Sequence, residues 1–280
     1  MSGERASGVP GLAPGTPGVV PAAPDLAARL GRVEGVALRT VDLVAGYDRS
    51  PVIHGISVAV QPGEIVSIVG PNGSGKSTLL KAIVGVVEVL SGQVLVGGRD
   101  ITRWRSEDIA RIGVGYVPQV DDVFAPLTVR ENLEMGGYLL PAREVRGRIE
   151  SVLGVFPQLR AMLTRRAEKL SGGERKMLAM GRALMLEPAL VVLDEPTANL
   201  APIIAAAVLE QHVRQLAETG ASVLIVEQRA KAVLQISDRT YVLGGGQLRM
   251  EGAPSELAAS PEFVASFLGG RGPDTPSAPA

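Results

Sequence analysis

The 280-residue chain carries 28 Lys and Arg against 29 Asp and Glu, a formal net charge of −1, so no overall basic field draws it to nucleic acid. A hydrophobic fraction of 46% supplies a full core, and the absence of cysteine excludes disulfides and thiolate metal sites. No stretch approaches the roughly 18 consecutive apolar residues of a membrane span; direct membrane insertion is not expected, and work at a membrane would require docking on a partner.

Residues 1–35 are rich in Pro and Gly and lack the charged start and apolar run of a signal peptide. They are predicted to be a flexible tail, as are residues 269–280. The ordered body is predicted over 36–268. Within it, β-rich runs at 56–60 and 64–69 precede the first helical run at 77–84, which predicts an antiparallel β subdomain at the front. A strand at 113–117 and helices at 129–138 and 172–186 follow. Then come a strand at 190–193, a helix at 203–218, and strands at 222–226 and 241–243. Strand followed by helix, repeated, predicts an α/β fold with a mostly parallel central sheet. From 104 to 170 the pattern is mostly helical, with turn signals at Pro126, Pro141 and Pro157, which predicts a helical lobe.

Gly70, Pro71, Asn72, Gly73, Ser74, Gly75, Lys76, Ser77 and Thr78 fit the pattern G-x-x-x-x-G-K-[ST], with a β-rich run before it and a helical run after it. Glycines let the backbone turn so that its N–H groups face phosphate oxygens, and the helix N-terminus adds partial positive charge. Lys76 would then neutralise the β- and γ-phosphates, and Ser77 would place its hydroxyl on Mg²⁺. On its own the segment also reads as a glycine-rich turn with an exposed lysine. The apolar run at 190–193 delivers Asp194 and Glu195 at its C-terminal end, where ligand sites of α/β sheets form. Asp194 is the candidate Mg²⁺ ligand and Glu195 the candidate general base. Without the upstream loop, such acids are ordinarily a strand meeting solvent. In Leu170, Ser171, Gly172, Gly173 and Glu174, the serine and glutamate have capping-box spacing and start a helix. An exposed helix N-terminus behind glycines is also an anion site, and one geometry serves both readings.

With these motifs in place the sequence resembles the ATP-binding cassette (ABC) family over nearly all of the ordered body. Residues 170–174 resemble that family's signature motif, which commonly ends in Gln rather than Glu174. Gln119 resembles the Q-loop glutamine, a Mg²⁺ and water contact that also senses the membrane partner. Residues 198–201 occupy the place of the D-loop, with Ala201 where the family has Asp. Tyr47 matches the aromatic that stacks on adenine; its other reading is a surface tyrosine at a strand end. Gln228 stands where the family has its switch histidine, and neither His54 nor His212 is positioned to replace it. A glutamine donates a hydrogen bond but cannot become cationic; its other reading is the start of the following helix. Residues 127–136, 174–182 and 200–202, together with Gln228, resemble ATPase subunits of branched-chain amino acid importers.

The resemblance implies a P-loop NTPase fold that binds ATP with Mg²⁺, with Lys76, Glu195 and Gln228 as catalytic residues and Ser77, Gln119 and Asp194 toward the metal. It implies a second ABC ATPase subunit, identical or related, paired head to tail so that residues 171–174 meet the partner's ATP. It also implies integral membrane permease subunits and a cytoplasmic, peripheral place on the inner face of the cell membrane. Two other readings stay open. A soluble ABC ATPase of DNA repair carries a long coiled coil for which the interval between Thr78 and Leu170 leaves no room, and translation types usually carry two cassettes. A non-hydrolysing regulatory cassette is opposed by Lys76, Asp194 and Glu195, while Ala201 and Gln228 leave it some support.

Overall fold

The computed structural model describes residues 37–267; both expected tails lie outside them. Strands β1 (Leu38–Tyr47), β2 (Ser50–Ile56) and β3 (Ala59–Val60) come first, followed by β4 (Ile65–Val69) and helix α1 (Lys76–Ile83). Next are β5 (Glu88–Val96), β6 (Arg99–Asp100), α2 (Ser106–Arg111) and β7 (Val114–Val117). Helices α3 (Val129–Gly136), α4 (Ala142–Val155) and α5 (Gly172–Leu184) lead to β8 (Leu190–Asp194). Then α6 (Pro202–Ala207) runs through a π-helical stretch (Val208–Val213) into α7 (Arg214–Glu218). The described chain ends with β9 (Ser222–Glu227), α8 (Ala230–Val233), β10 (Arg239–Gly244), β11 (Gln247–Gly252), α9 (Pro254–Ala259) and α10 (Pro261–Phe267).

The front sheet runs β2-β1-β5-β6, with β3 also on β1, and every pairing is antiparallel. The second sheet runs β11-β10-β4-β9-β8-β7; all neighbours are parallel except the β10–β11 hairpin. β4, β8 and β9 are buried along their whole length, as strands covered on both faces must be, which explains their unbroken apolar runs. Their side chains alternate between two cores. Val191 and Leu193 join Phe156, Met180 and Ile225 under the helices. Leu190 and Val192 join Leu79, Leu80 and Leu43 against α1 and the front sheet.

Two expectations change. The run at 56–60 is not one strand. Thr40 Oγ1 donates to Ile56 O at 3.0 Å and accepts from Val58 N at 2.9 Å, so a β1 side chain bridges the break between β2 and β3, beside the backbone bond from Thr40 N to Val58 O at 2.8 Å. The helix expected at 203–218 begins one residue earlier, with Pro202 in the first turn, and contains the π-helical stretch. A proline there sacrifices only an N–H that lacks an intrahelical partner. Among the described residues no helix is long and apolar enough to cross a membrane.

Candidate functional site

The register of the parallel sheet brings three strand ends together. Val69 pairs with Glu227, and Asp194 with Val226, so the loop after β4, the acids of β8 and the end of β9 open on one edge. At that edge residues 72–78, Val52, Gln119, Glu195, Thr197, Ala198, Asn199, Glu227, Gln228 and Arg229 line a cleft of about 660 Å³, and Asp194, buried behind this lining, reaches it through Ser77. Glycine is required in the loop by close approach. A Cβ on Gly70 would lie 2.4 Å from Leu243 O, and one on Gly75, at φ +97°, would lie 2.6 Å from Ile53 Cγ2.

Lys76 is 4% exposed. Its ammonium donates to Gly70 O at 3.0 Å and Pro71 O at 3.1 Å and stands 3.5 Å from Glu195 Oε1. Ser77 Oγ donates to Asp194 Oδ1 at 2.8 Å, and Tyr116 OH donates to Asp194 Oδ2 at 3.3 Å. Gln119 Nε2 donates to Glu195 Oε2 at 2.8 Å. Glu195 itself has φ +44°, and Asn199 has φ +61°. Such a conformation in a non-glycine residue costs on the order of 1–3 kcal/mol and persists where surrounding structure imposes it. Here the Glu195 N–H is fixed on Val226 O at 3.0 Å, and its carbonyl accepts from Ala198 N at 3.0 Å.

The donor set fits a triphosphate. Gly75 caps α1 with no side-chain acceptor, so the first-turn N–H groups stay open to the loop. Ser74 Oγ and Thr197 Oγ1 are buried with no hydrogen-bond partner. Magnesium fits a site of one serine, one glutamine and one aspartate, because it keeps waters and shares substrate phosphates. Among the described residues no cluster of three or more His, Cys, Asp or Glu offers an all-protein metal cage.

Most sequence-predicted residues therefore converge, but not all. Tyr47 ends β1, is 48% exposed and stands outside the lining of this cleft, where Val52 of β2 is the front sheet's contribution. Ser171, Gly172, Gly173 and Glu174 also stand outside it. There the Ser171 hydroxyl accepts from Glu174 N at 3.4 Å, and Glu174 Oε2 accepts from Ser171 N at 2.7 Å. That backbone bond holds the Glu174 carboxyl below the usual glutamate range.

Three residues escaped the sequence reading. Glu227, 1% exposed, accepts from Thr197 N at 2.9 Å. Burial pushes its carboxyl above the usual range, against the opposing effect of the Thr197 bonds. Its signal was available, an acid closing an apolar strand, as with Asp194. Tyr116 gave none beyond its place before Gln119; burial, then the Asp194 charge, raises its phenol. Thr197 likewise carried no pattern of its own.

A family of known proteins, described as ABC transporter, matches residues 53–198. A probable branched-chain amino acid transport ATP-binding protein, LivF, of Archaeoglobus fulgidus is 41% identical over 83% of this chain and 98% of its own length. The high-affinity branched-chain amino acid transport ATP-binding protein BraG of Pseudomonas aeruginosa is 40% identical over 80% of this chain and 96% of its own. Among solved structures, an ATP-binding cassette of an ABC transporter in its ADP conformation superposes with a TM-score of 0.75 at 30% identity, covering 84% of this chain and 99% of that one.

Proposed function

Since this chain belongs to the ABC transporter family as an ATP-hydrolysing subunit, we propose that it powers the import of branched-chain amino acids through permease subunits, from the cytoplasmic face of the cell membrane. The observation that carries the substrate is the identity of about 40% to two proteins named for that transport, across nearly their whole length. A lipopolysaccharide export ATP-binding protein, LptB, of Acidithiobacillus ferridurans shares the cassette at 34%. The fold therefore does not choose the cargo, and the higher identity to the two branched-chain proteins is what supports this reading.

In this reading the loop from Gly70 to Thr78 wraps the phosphates with its N–H groups, and the Lys76 ammonium moves from its carbonyl partners onto the β- and γ-phosphate oxygens. Ser77, Asp194 and Gln119 would hold Mg²⁺, which when bound would supply charge neutralisation to the phosphates. Glu195 takes a proton from water as its oxygen attacks the γ-phosphorus and the bond to the ADP oxygen breaks. Gln119, bonded to Glu195, orients that base, and Gln228 holds the γ-phosphate from the opposite wall. Tyr47 stacks on the adenine beyond the phosphate cleft. Residues 171–174 complete the ATP site of a second cassette.

A groove of about 270 Å³ between α2, β7, α3 and α5 supports docking on a permease. Val86, Val120, Met135 and Tyr138 expose apolar surface in and beside it. The test is reconstitution with the permease subunits and an amino-acid-binding protein in proteoliposomes. ATP hydrolysis should rise on adding leucine, isoleucine or valine with the binding protein. A rise with another solute and none with these three overturns the cargo while leaving the ATPase intact.

A further inference from the structure

Helix α5 does more than present residues 171–174. One turn further on, Lys176 is buried at 6% exposure, although lysine ordinarily keeps its ammonium in water. Its Nζ donates to the backbone carbonyl of Gln119 at 3.0 Å and stands 2.7 Å from Asp122 Oδ2, itself a buried carboxylate. From the same helix, Arg182 donates to Asp122 O and lies over the Phe124 ring at 4.4 Å. Thus α5 grips the segment 119–124 at both ends. The side chain of Gln119 leaves that segment in the other direction, to Glu195 Oε2 at 2.8 Å.

We infer that Lys176 is a positioning residue for hydrolysis, linking the outward-facing N-terminus of α5 to Glu195 through Gln119. The link is short: ammonium, Gln119 carbonyl, Gln119 side chain, carboxylate. Only the ammonium belongs to the helix that carries residues 171–174. A shift of that helix when those residues meet a second cassette moves the Gln119 backbone and therefore the base. An ion pair needed for packing alone would be satisfied by Lys176 and Asp122; the additional bond to Gln119 O aims the charge at the residue that touches Glu195. Burying a charge is costly unless it is paired, so Asp122 is what allows the lysine to be there.

This inference rests on the reading of Glu195 as base, and the experiment separates the two. Steady-state Mg-ATP hydrolysis and melting temperature are measured on the full chain and its variants. Glu195→Gln tests the base. Lys176→Met removes the ammonium and should lower kcat about tenfold, since a small misplacement of a catalytic group has effects of that order. KM for ATP should stay within about twofold. Lys176→Arg should keep most of the turnover. Because Lys176→Met strands the Asp122 carboxylate, the double variant Lys176→Met/Asp122→Leu removes both charges. It should recover the melting temperature while kcat stays low. Recovery of kcat together with stability makes the pair structural and overturns the inference, as does unchanged kcat in Lys176→Met. Unchanged turnover in Glu195→Gln overturns the base assignment and the link with it.

Discussion

Two helix N-termini in this chain carry glycine, one at its cap and one in its first turn, and they are finished in opposite ways. At α1 the capping residue is Gly75, left-handed and with no side-chain cap, and the turn opens into a cleft between strand ends. At α5 the capping residue is Ser171, closed by a full capping box with Glu174 and exposed away from that cleft. The first terminus leaves its N–H groups open to a ligand bound in this chain's own cleft. The second satisfies two of them internally and offers solvent a serine hydroxyl and two glycines, a surface that contributes to a site only when another surface arrives. On the proposed reading, the difference would separate residues that act on this chain's own ATP from residues that act on a partner's.

The sharpest way to break that division is to remove the base. Glu195→Gln should lower turnover by about 10²–10⁴-fold, the range of general base catalysis, while ATP still binds. Lys76→Ala should instead weaken ATP binding. Nucleotide affinity and phosphate release measured on both variants decide it; ordinary turnover in Glu195→Gln removes it from the role. The second terminus is tested next. Glu195→Gln with ATP should sediment as a dimer, and adding Ser171→Arg should return it to a monomer that still binds ATP. A dimer that persists with Ser171→Arg places the interface elsewhere. Monomers in Glu195→Gln alone point to a heteromeric partner.

The chemistry of the first terminus was legible because it is local. A strand, six loop residues and a helix are contiguous, and the strand at Ile65–Val69 and helix at Lys76–Ile83 stand within one residue of expectation at each end. The same holds for β8 and its acids, since full burial produces an unbroken apolar run. β1 and β5 were not legible. β5 faces solvent along much of its length, and its polar residues, Glu88, Ser91 and Gln93, mask the period. The contacts among Tyr116, Asp194, Thr197 and Glu227 are set by sheet order, which no local pattern encodes. Lys176 read as part of a helix beginning with a cap, and its burial follows only from the fold around residues 119–124.

Tyr47 probes how far the first site extends beyond the phosphate cleft. Its exposed ring at the end of β1 is free to meet a base, and such stacking is worth about 1–3 kcal/mol. Tyr47→Ala should therefore weaken ATP and GTP alike, because both purines present a π-face. Tyr47→Phe should be nearly silent. Unchanged ATP affinity in the alanine variant confines the site to the cleft itself.

The smallest effect should come from Gln228, and it tests the first site at the wall that follows β9. The side chain lines the cleft after Glu227, with Arg229 beside it and Glu195 and Thr197 across the strand ends. A glutamine there offers a neutral donor and acceptor, worth about 0.5–1.5 kcal/mol net, or roughly 2- to 13-fold in rate. Gln228→Ala should lower kcat by about that factor and ATP affinity by less, because the contact strengthens as charge develops in the transition state. Gln228→His installs a group that titrates near pH 6.5. Its cation faces the γ-phosphate, so the added stabilisation is present below that pH and lost above it. The raised Glu227 carboxyl contributes its own ionisation to both proteins, so the histidine effect is the difference between the variant and wild-type profiles. Steady-state hydrolysis from about pH 5.5 to 8.5 on wild type and both variants provides the measurement. Three superimposable profiles with equal kcat show that Gln228 lines the cleft without touching the reaction.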